Sequence, residues 1–223
     1  DPIGSRGLGD VYKRQHKAVG EGDIGLNTGG MGAYSPAPIV DERIHEKIIN
    51  EVMKPTVEGL IAEGFPYLGF LYAGLMIKDG ELKVLEFNCR FGDPETQPIL
   101  IRLKSSLVEL CLAAINDEMD LYDISWTDQH ACGVVIASAG YPESYESNKQ
   151  VTLPIKLDQD VKLFHAGTKL FNDNVVTSGG RVFCATALGD DLKSAQSKAY
   201  NLVDSVTFDG AFYRKDIGFK GIK

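Results

Sequence analysis

Two apolar stretches joined by a short polar turn constrain the fold of this chain more than any other feature. The run from Gly69 to Ile77 has nine residues, which is too short to cross a bilayer as a helix. Its length and aromatic content favour a buried strand. Residues 78–81 (KDGE) carry a tight-turn signal, and a second apolar stretch from Leu82 to Phe87 follows them. The pattern therefore predicts a β-hairpin.

The second strand of this hairpin leads into VLEFNCRFGDPETQ, which holds many polar groups in a short space. Because side chains alternate along a strand, Glu86 and Asn88 point to the same face, and Arg90 joins them if the strand persists. Carboxylate and amide oxygens suit Mg²⁺, which proteins often share with a nucleotide. The alternative is an exposed strand end with a solvated Glu86. The cation, glycine and two acids of RFGDPE favour the metal site.

Composition limits the classes of partner. The chain has 223 residues and a net charge of -8, which allows one or two domains and argues against general nucleic-acid binding. No signal-peptide pattern is evident. The four cysteines lack CxxC spacing, and the four histidines form no cluster with them. We therefore expect reduced thiols in a cytoplasmic protein with no zinc, nucleic-acid or membrane partner.

Residues 1–15 show neither helical nor strand periodicity and contain three glycines. We interpret them as a cloning scar outside the fold, and the alternative is a genuine flexible tail. On the first interpretation the natural protein continues upstream of His16, and the present sequence is an incomplete portion of it.

The next region predicts loops followed by helices. Residues 16–40 contain six glycines, which indicate a loop-rich segment. Asp41 is a suitable N-cap for a helix, Pro55 should interrupt that helix, and Gly64 should stop it. Ser106 has capping-box spacing to Glu109, so a further helix begins there.

The chain becomes acidic and polar over residues 116–128, where we place a domain boundary. Beyond it, CGVVIASAG, VKLFHAGTKL and GRVFCATALG are predicted strands, with a hairpin turn at residues 177–180 between the last two. Apolar residues then recur at helical spacing from Leu192 to Leu202. Residues 129–223 are therefore predicted to form a small α+β domain.

These motifs resemble those of a known family. VLEFNCRFGDPETQ resembles the metal-binding core of ATP-grasp carboxylate–amine ligases. Together with NTGGMGAYSPAP at residues 27–38, it resembles phosphoribosylamine–glycine ligases, from His16 to about Gly218. The resemblance implies an α+β fold. Residues 16–125 would form the C-terminal half of an ATP-grasp domain, an antiparallel sheet with helices, and residues 129–223 the small C-terminal α+β domain.

The resemblance implies ATP-dependent ligation of glycine to 5-phosphoribosylamine in purine biosynthesis. A carboxylate is a poor electrophile, so ATP would phosphorylate it and the amine would attack the glycyl phosphate. Such chemistry needs ATP, Mg²⁺ or Mn²⁺ and positioned cations, but no covalent nucleophile. Two alternatives stay open: another ATP-grasp carboxylate–amine ligase, and a non-catalytic module that binds phosphorylated ligands.

The resemblance also implies roles for residues of the hairpin and the segment after it. Glu86 and Asn88 would hold the metal ion between the β- and γ-phosphates. Arg90 would face the transferring phosphoryl group or the glycine carboxylate, since guanidinium suits both. Asp93 would orient Arg90 or meet the substrate amine. The alternative is that Arg90 and Asp93 pair only with each other.

The remaining expected contacts concern substrates and nucleotide. Adjacent glycines let a backbone approach an anion and direct N–H groups at it, and the resemblance makes NTGGMG a loop that lines the substrate site. The expected substrate residues are Asp23, Asn27, Thr28, Gly29, Gly30, Met31, Gly32, Glu95 and Arg181. The expected nucleotide-binding residues are His16, Lys17, Met76 and Leu85. For Arg181 the alternative is a solvated hairpin residue, and for Met76 and Leu85 it is core packing.

Overall fold

The computed structural model describes residues 14–222, and these form two compact units. The first unit contains Ala37–Gly92 and Leu103–Thr127, and the second contains residues 14–36, Asp93–Arg102 and residues 128–222. The second unit thus takes segments from both sides of the domain boundary that the sequence predicts. The division into domains at that boundary stays a prediction.

Strands and short helices alternate along the chain. The strands are β1 (Arg14–Ala18), β2 (Asn27–Ser35), β3 (Tyr72–Lys78), β4 (Glu81–Asn88), β5 (His130–Ser138), β6 (Val161–His165), β7 (Thr168–Phe171), β8 (Asn174–Thr177), β9 (Arg181–Gly189) and β10 (Ala211–Phe212). The α-helices are α1 (Glu42–Ile48), α2 (Lys54–Ala62), α3 (Thr96–Leu100), α4 (Leu107–Ile115) and α5 (Leu192–Asp204). This mixture confirms the predicted α+β class.

The second unit is built on an antiparallel sheet with the strand order β1-β2-β5-β9-β6, and β10 pairs with β5. Strands β5 and β9 are buried along almost their whole length, as expected for central strands covered on both faces. Helix α5 packs its apolar side on these two strands. Its buried residues are Leu192, Ala195, Ala199, Leu202 and Val203, which confirms the predicted amphipathic helix.

The first unit contains the predicted hairpin. Strands β3 and β4 pair antiparallel, with Lys78 opposite Glu81. Asp79 and Gly80 have φ angles of 52° and 78°, and two consecutive positive values are typical of the two-residue turn that suits twisted strands. The predicted burial of β3 is wrong, because none of its residues is buried. Within residues 14–222 neither strand of this hairpin pairs with a third.

The helices of the first unit follow their sequence signals. Asp41 Oδ1 accepts a hydrogen bond from Ile44 N at 2.8 Å, and Ser106 Oγ accepts one from Glu109 N at 3.3 Å. A π-helical segment, Ile49–Met53, separates α1 from α2 immediately before Pro55. Both caps and the interruption are therefore confirmed. No helix in the described part of the chain has the length and apolar character that crossing a bilayer requires.

Four further predictions about local structure are wrong. The segment 16–40 contains β1 and β2 rather than mainly loops, and Gln15, which we placed outside the fold, lies in β1. The stretch VKLFHAGTKL is divided between β6 and β7. Residues 177–180 are no hairpin turn, because β8 pairs with β7 whereas β9 pairs with β5 and β6. Local turn signals cannot show which strands pair across long separations.

We expect the N-cap of α5 to contribute measurably to stability. Asp191 Oδ1 accepts a hydrogen bond from Ser194 N at 2.7 Å, so Asp191→Ala should lower the free energy of unfolding by about 1 kcal/mol. Urea unfolding followed by circular dichroism measures this change. The control is Lys193→Ala, because Lys193 is exposed in the same turn. Equal stability of the two variants would contradict the assignment of the cap.

Candidate metal and substrate sites

The two expected metal ligands lie near the end of β4. Glu86 is opposite Gly74 and Asn88 is opposite Tyr72, which places both side chains on the same face of the hairpin. Glu86 is exposed and Asn88 is half-buried. A β-carbon on Gly74 would lie 2.9 Å from Glu86 Cγ, so the glycine leaves room for the carboxylate side chain. The donor set and its exposure fit a cation shared with an exogenous ligand.

A bulge in β4 changes the face that the sequence alone would indicate. Gly74 pairs with Glu86, whereas the next residue of β3 pairs with Val84, so Leu85 is the extra residue on this strand. Lys83 is opposite Met76 and therefore shares the face of Glu86. Three residues apart on a regular strand, Lys83 and Glu86 would have pointed to opposite faces. The bulge thus brings an exposed cation to the face of the two expected metal ligands, which the sequence analysis missed.

The other predicted residues near this strand are exposed. Met76 is 54% exposed and Leu85 is 64% exposed, so core packing, the alternative explanation for both, is wrong. Arg90 lies beyond the end of β4 and its Nη1 donates to Phe91 O at 2.8 Å. The strand does not persist as far as Arg90, so the condition on which Arg90 would share the face of Asn88 is not met.

In the second unit, Arg181 joins the two motifs that the sequence analysis identified separately. Its Nη1 donates to Gly29 O at 3.0 Å, to Gly30 O at 3.4 Å and to Asp93 O at 3.2 Å. Its Nη2 forms an ion pair with Asp93 Oδ2 at 2.7 Å. The Arg181 side chain is only 20% exposed, so the alternative that Arg181 is a solvated hairpin residue is wrong. Asp93 therefore pairs with Arg181, and the alternative that it pairs only with Arg90 is wrong.

The glycines of NTGGMG serve close packing rather than an anion cradle. A β-carbon on Gly29 would lie 2.8 Å from Arg181 Cζ, and one on Gly30 would collide with Pro94. Gly29 N donates to Tyr141 Oη at 3.0 Å, and Gly30 N donates to Thr28 Oγ1 at 2.9 Å. These two N–H groups bond within the protein and so form no anion cradle, and the place of Gly29 and Gly30 at a substrate site stays a prediction.

Other predicted substrate residues differ in their exposure. Met31 is fully buried in the core, and a β-carbon on Gly32 would lie 2.7 Å from Gly133 O. Packing alone accounts for both residues, and their direct contact with a substrate stays a prediction. Glu95 is 1% exposed, with Oε2 3.4 Å from Gln15 Nε2.

At the other end of the segment, Asn27 is exposed. Thr28 is 8% exposed, and its Oγ1 donates to Lys17 O at 2.8 Å. Of the expected residues of NTGGMG, Asn27 is therefore the one whose side chain is open to solvent.

His16 and Asp23 belong to a buried polar network. His16 is 1% exposed and its Nε2 accepts from Gly218 N at 3.0 Å. Asp23 Oδ1 lies 3.5 Å from His16 Nδ1 and 2.9 Å from Arg214 Nη1. The burial of the His16 ring argues against a direct nucleotide contact, whereas Lys17 is exposed. Sequence reasoning missed Arg214, although the dense charges of YRKDIG were a signal.

Comparison with known proteins agrees with the fold and with both motifs. The family model described as phosphoribosylglycinamide synthetase, ATP-grasp (A) domain, matches residues 10–96. The model described as phosphoribosylglycinamide synthetase, C domain, matches residues 131–220. The first match and the α+β architecture place the chain among ATP-grasp proteins.

Individual relatives indicate a particular family within the ATP-grasp proteins. The phosphoribosylamine–glycine ligase of Salmonella typhimurium is 54% identical over 94% of this chain and 50% of its own length. That of Allochromatium vinosum is 56% identical over 94% and 49%. The crystal structure of the Thermotoga maritima phosphoribosylamine–glycine ligase superimposes with a TM-score of 0.83 at 36% identity, covering 92% of this chain and 50% of that one. The chain belongs to the phosphoribosylglycinamide synthetase family, and it spans about half the length of the curated relatives it matches.

We expect the Arg181–Asp93 ion pair to be energetically coupled. A double-mutant cycle with Arg181→Ala and Asp93→Ala, measured by urea unfolding, should give about 1 kcal/mol, because the pair is short and the cation is mostly buried. The pair of Lys198 and Asp160, at 2.9 Å with a cation 38% exposed, is the control and should give less than about 0.5 kcal/mol, because its cation is more exposed than Arg181. Zero coupling between Arg181 and Asp93 would contradict the pairing.

Proposed function

We propose that this chain takes part in the ATP-dependent ligation of glycine to 5-phosphoribosylamine, which yields glycinamide ribonucleotide, ADP and phosphate. The observation that carries the proposal is the match over 94% of the chain to relatives named for this reaction. The two halves of the reaction need different groups. Phosphoryl transfer needs a metal ion and cations, and amide formation needs a positioned carboxylate and amine.

Glu86 and Asn88 would hold Mg²⁺ or Mn²⁺. Within residues 14–222 no group of three or more His, Cys, Asp or Glu side chains could hold a metal by itself. One carboxylate and one amide oxygen on an exposed strand face suit an ion that takes its other ligands from phosphates and water. When bound, such an ion neutralises charge on the phosphates.

The exposed side chains of the hairpin would serve the nucleotide and the transferring group. Met76 and Leu85 offer apolar surface for the adenine ring, because both are more than half exposed. Lys83 and Arg90 are exposed cations on and after β4, and they would attract the γ-phosphate. The glycine carboxylate oxygen would form a bond to that phosphorus while the bond to ADP breaks, giving glycyl phosphate.

Residues of the second unit would serve the substrates. Asn27 is exposed, and Asp93 has a side chain 57% exposed, so both are open to a ligand. The amine of phosphoribosylamine would attack the acyl carbon, phosphate would leave, and the nitrogen would release one proton. Asp93 would attract that amine while Arg181 fixes its carboxylate. Arg181 already donates to three backbone oxygens and pairs with Asp93. We therefore propose that it orients the Asp93 carboxylate rather than binding a substrate phosphate directly.

Incorporation of labelled glycine into a phosphoribosyl product tests the proposed function. The assay uses freshly prepared phosphoribosylamine, ATP and Mg²⁺, with the 223-residue chain and with a chimera that adds the uncovered half of the Salmonella typhimurium relative. We expect product from the chimera only when ATP is present. Incorporation of label that phosphoribosylamine does not stimulate would favour a different ATP-grasp ligase, and a folded chimera without product would refute the proposal.

Glu86→Gln should lower the Mg²⁺-dependent activity of the chimera by more than about a hundredfold, because an anionic ligand becomes neutral while its shape is kept. The control is Glu81→Gln, which removes the same charge from the same strand at its exposed first residue. Steady-state rates at several Mg²⁺ concentrations measure the effect. Normal activity of Glu86→Gln would remove Glu86 from the metal site.

A further inference from the structure

Arg214 is the largest fully buried side chain among the residues that the structure describes, at 1% exposure. Its guanidinium donates to both carboxylate oxygens of Asp216, with Nε to Oδ1 and Nη2 to Oδ2 at 2.8 Å each. Nη1 donates to Ala18 O at 3.0 Å and to Asp23 Oδ1 at 2.9 Å. The side chain thus ties residues near the end of the chain to a segment almost two hundred positions earlier.

That segment is the Asp23 loop, which we define as residues 19–26. Gly22 N donates to Asp216 Oδ2 at 2.8 Å, and Lys220 forms an ion pair with Asp23. The loop has little apolar burial to hold it, because Ile24 is 69% exposed and Leu26 is 52% exposed. Ion pairs and hydrogen bonds must therefore fix its conformation.

The segment that carries Arg214 and Asp216 is also hydrogen-bonded to helix α5. Tyr200, on α5, donates its hydroxyl hydrogen to Arg214 O at 2.6 Å and accepts from Ile217 N at 2.9 Å. Burial raises the pKa of Asp216, but hydrogen bonds from Arg214 and Gly22 lower it more, so the carboxylate stays charged at neutral pH. The anchor consequently connects α5 with the Asp23 loop through charged groups.

We propose that Arg214 and Asp216 are positioning residues that fix the Asp23 loop and thereby the strand start that carries Asn27. A buried ion pair contributes little net stability compared with apolar packing, but removing one partner leaves an uncompensated charge. Such a pair suits the fixing of one loop conformation. The part of this proposal that concerns catalysis rests on the proposed function, because Asn27 is a proposed substrate residue.

Amide hydrogen exchange of the 223-residue chain tests the anchoring without any activity. Arg214→Lys and Asp216→Asn should speed exchange in the Asp23 loop by about tenfold or more, the effect of losing one charge-assisted hydrogen bond. Exchange in β5 and β9 should stay unchanged. The control is Lys215→Gln, because Lys215 lies between Arg214 and Asp216 in the sequence and its side chain is exposed.

A second variant keeps the proposal testable if the substitutions of Arg214 or Asp216 prevent folding. Tyr200→Phe keeps every charge and removes only the hydroxyl that anchors the network to α5, and it should also speed exchange in the Asp23 loop. If folded variants of Arg214 and Asp216 exchange there as slowly as Lys215→Gln does, the proposal is wrong.

Kinetics of the chimera test the positioning role. Asp216→Asn should raise the KM for phosphoribosylamine or glycine by about tenfold, with kcat changed less than KM. A loss of kcat alone would indicate fewer folded molecules and would overturn the role in catalysis. If the unaltered chimera makes no product, the proposed function fails, whereas the exchange experiment still decides whether the loop is anchored.

Discussion

The close approach that glycine permits along β2 is the constraint on which the second unit depends. This strand lies between β1 and β5, where a β-carbon on Gly32 would lie 2.7 Å from both Gly133 O and Ile217 Cγ2. Near the start of β2, Gly29 lets the guanidinium of Arg181 lie directly on the backbone of the strand. A side chain at either position would separate the sheet from its neighbours or displace Arg181. The glycine-rich motif is therefore a steric requirement of the sheet.

The position of Arg181 has an electrostatic consequence. Its guanidinium has five N–H donors, and three backbone carbonyl oxygens and one carboxylate of Asp93 accept from it. A cation with so many protein acceptors has little remaining capacity to attract a phosphate. It can, however, hold the Asp93 carboxylate in a fixed direction while more than half of that side chain stays exposed. The same contacts that tighten the sheet thus hold an exposed carboxylate in one direction, as the proposed role of Asp93 toward a substrate amine requires.

Sequence reasoning predicted those features that depend on neighbouring residues. The turn at Asp79 and Gly80, the caps at Asp41 and Ser106, and the apolar face of α5 all follow from local geometry. It missed β2 as a strand, because glycines indicate turns unless one knows that another backbone must pass close by. It also missed the pairing of Arg181 with Asp93 across 88 positions. Long-range pairs and the bulge in β4 depend on register, which local patterns do not fix.

The exposure of the proposed metal ligands on β4 has its own thermodynamic consequence. Glu86 and Asn88 would supply two oxygens, whereas Mg²⁺ requires six ligands in a near-ideal octahedron and gives up its waters reluctantly. The protein alone would therefore bind the ion weakly, and the phosphates of a nucleotide would complete the shell. Because coupling between two ligands is reciprocal, the factor by which the nucleotide tightens the ion is the factor by which the ion tightens the nucleotide. Two oxygens on an open strand thus favour binding of the ion and the nucleotide together over binding of either one alone.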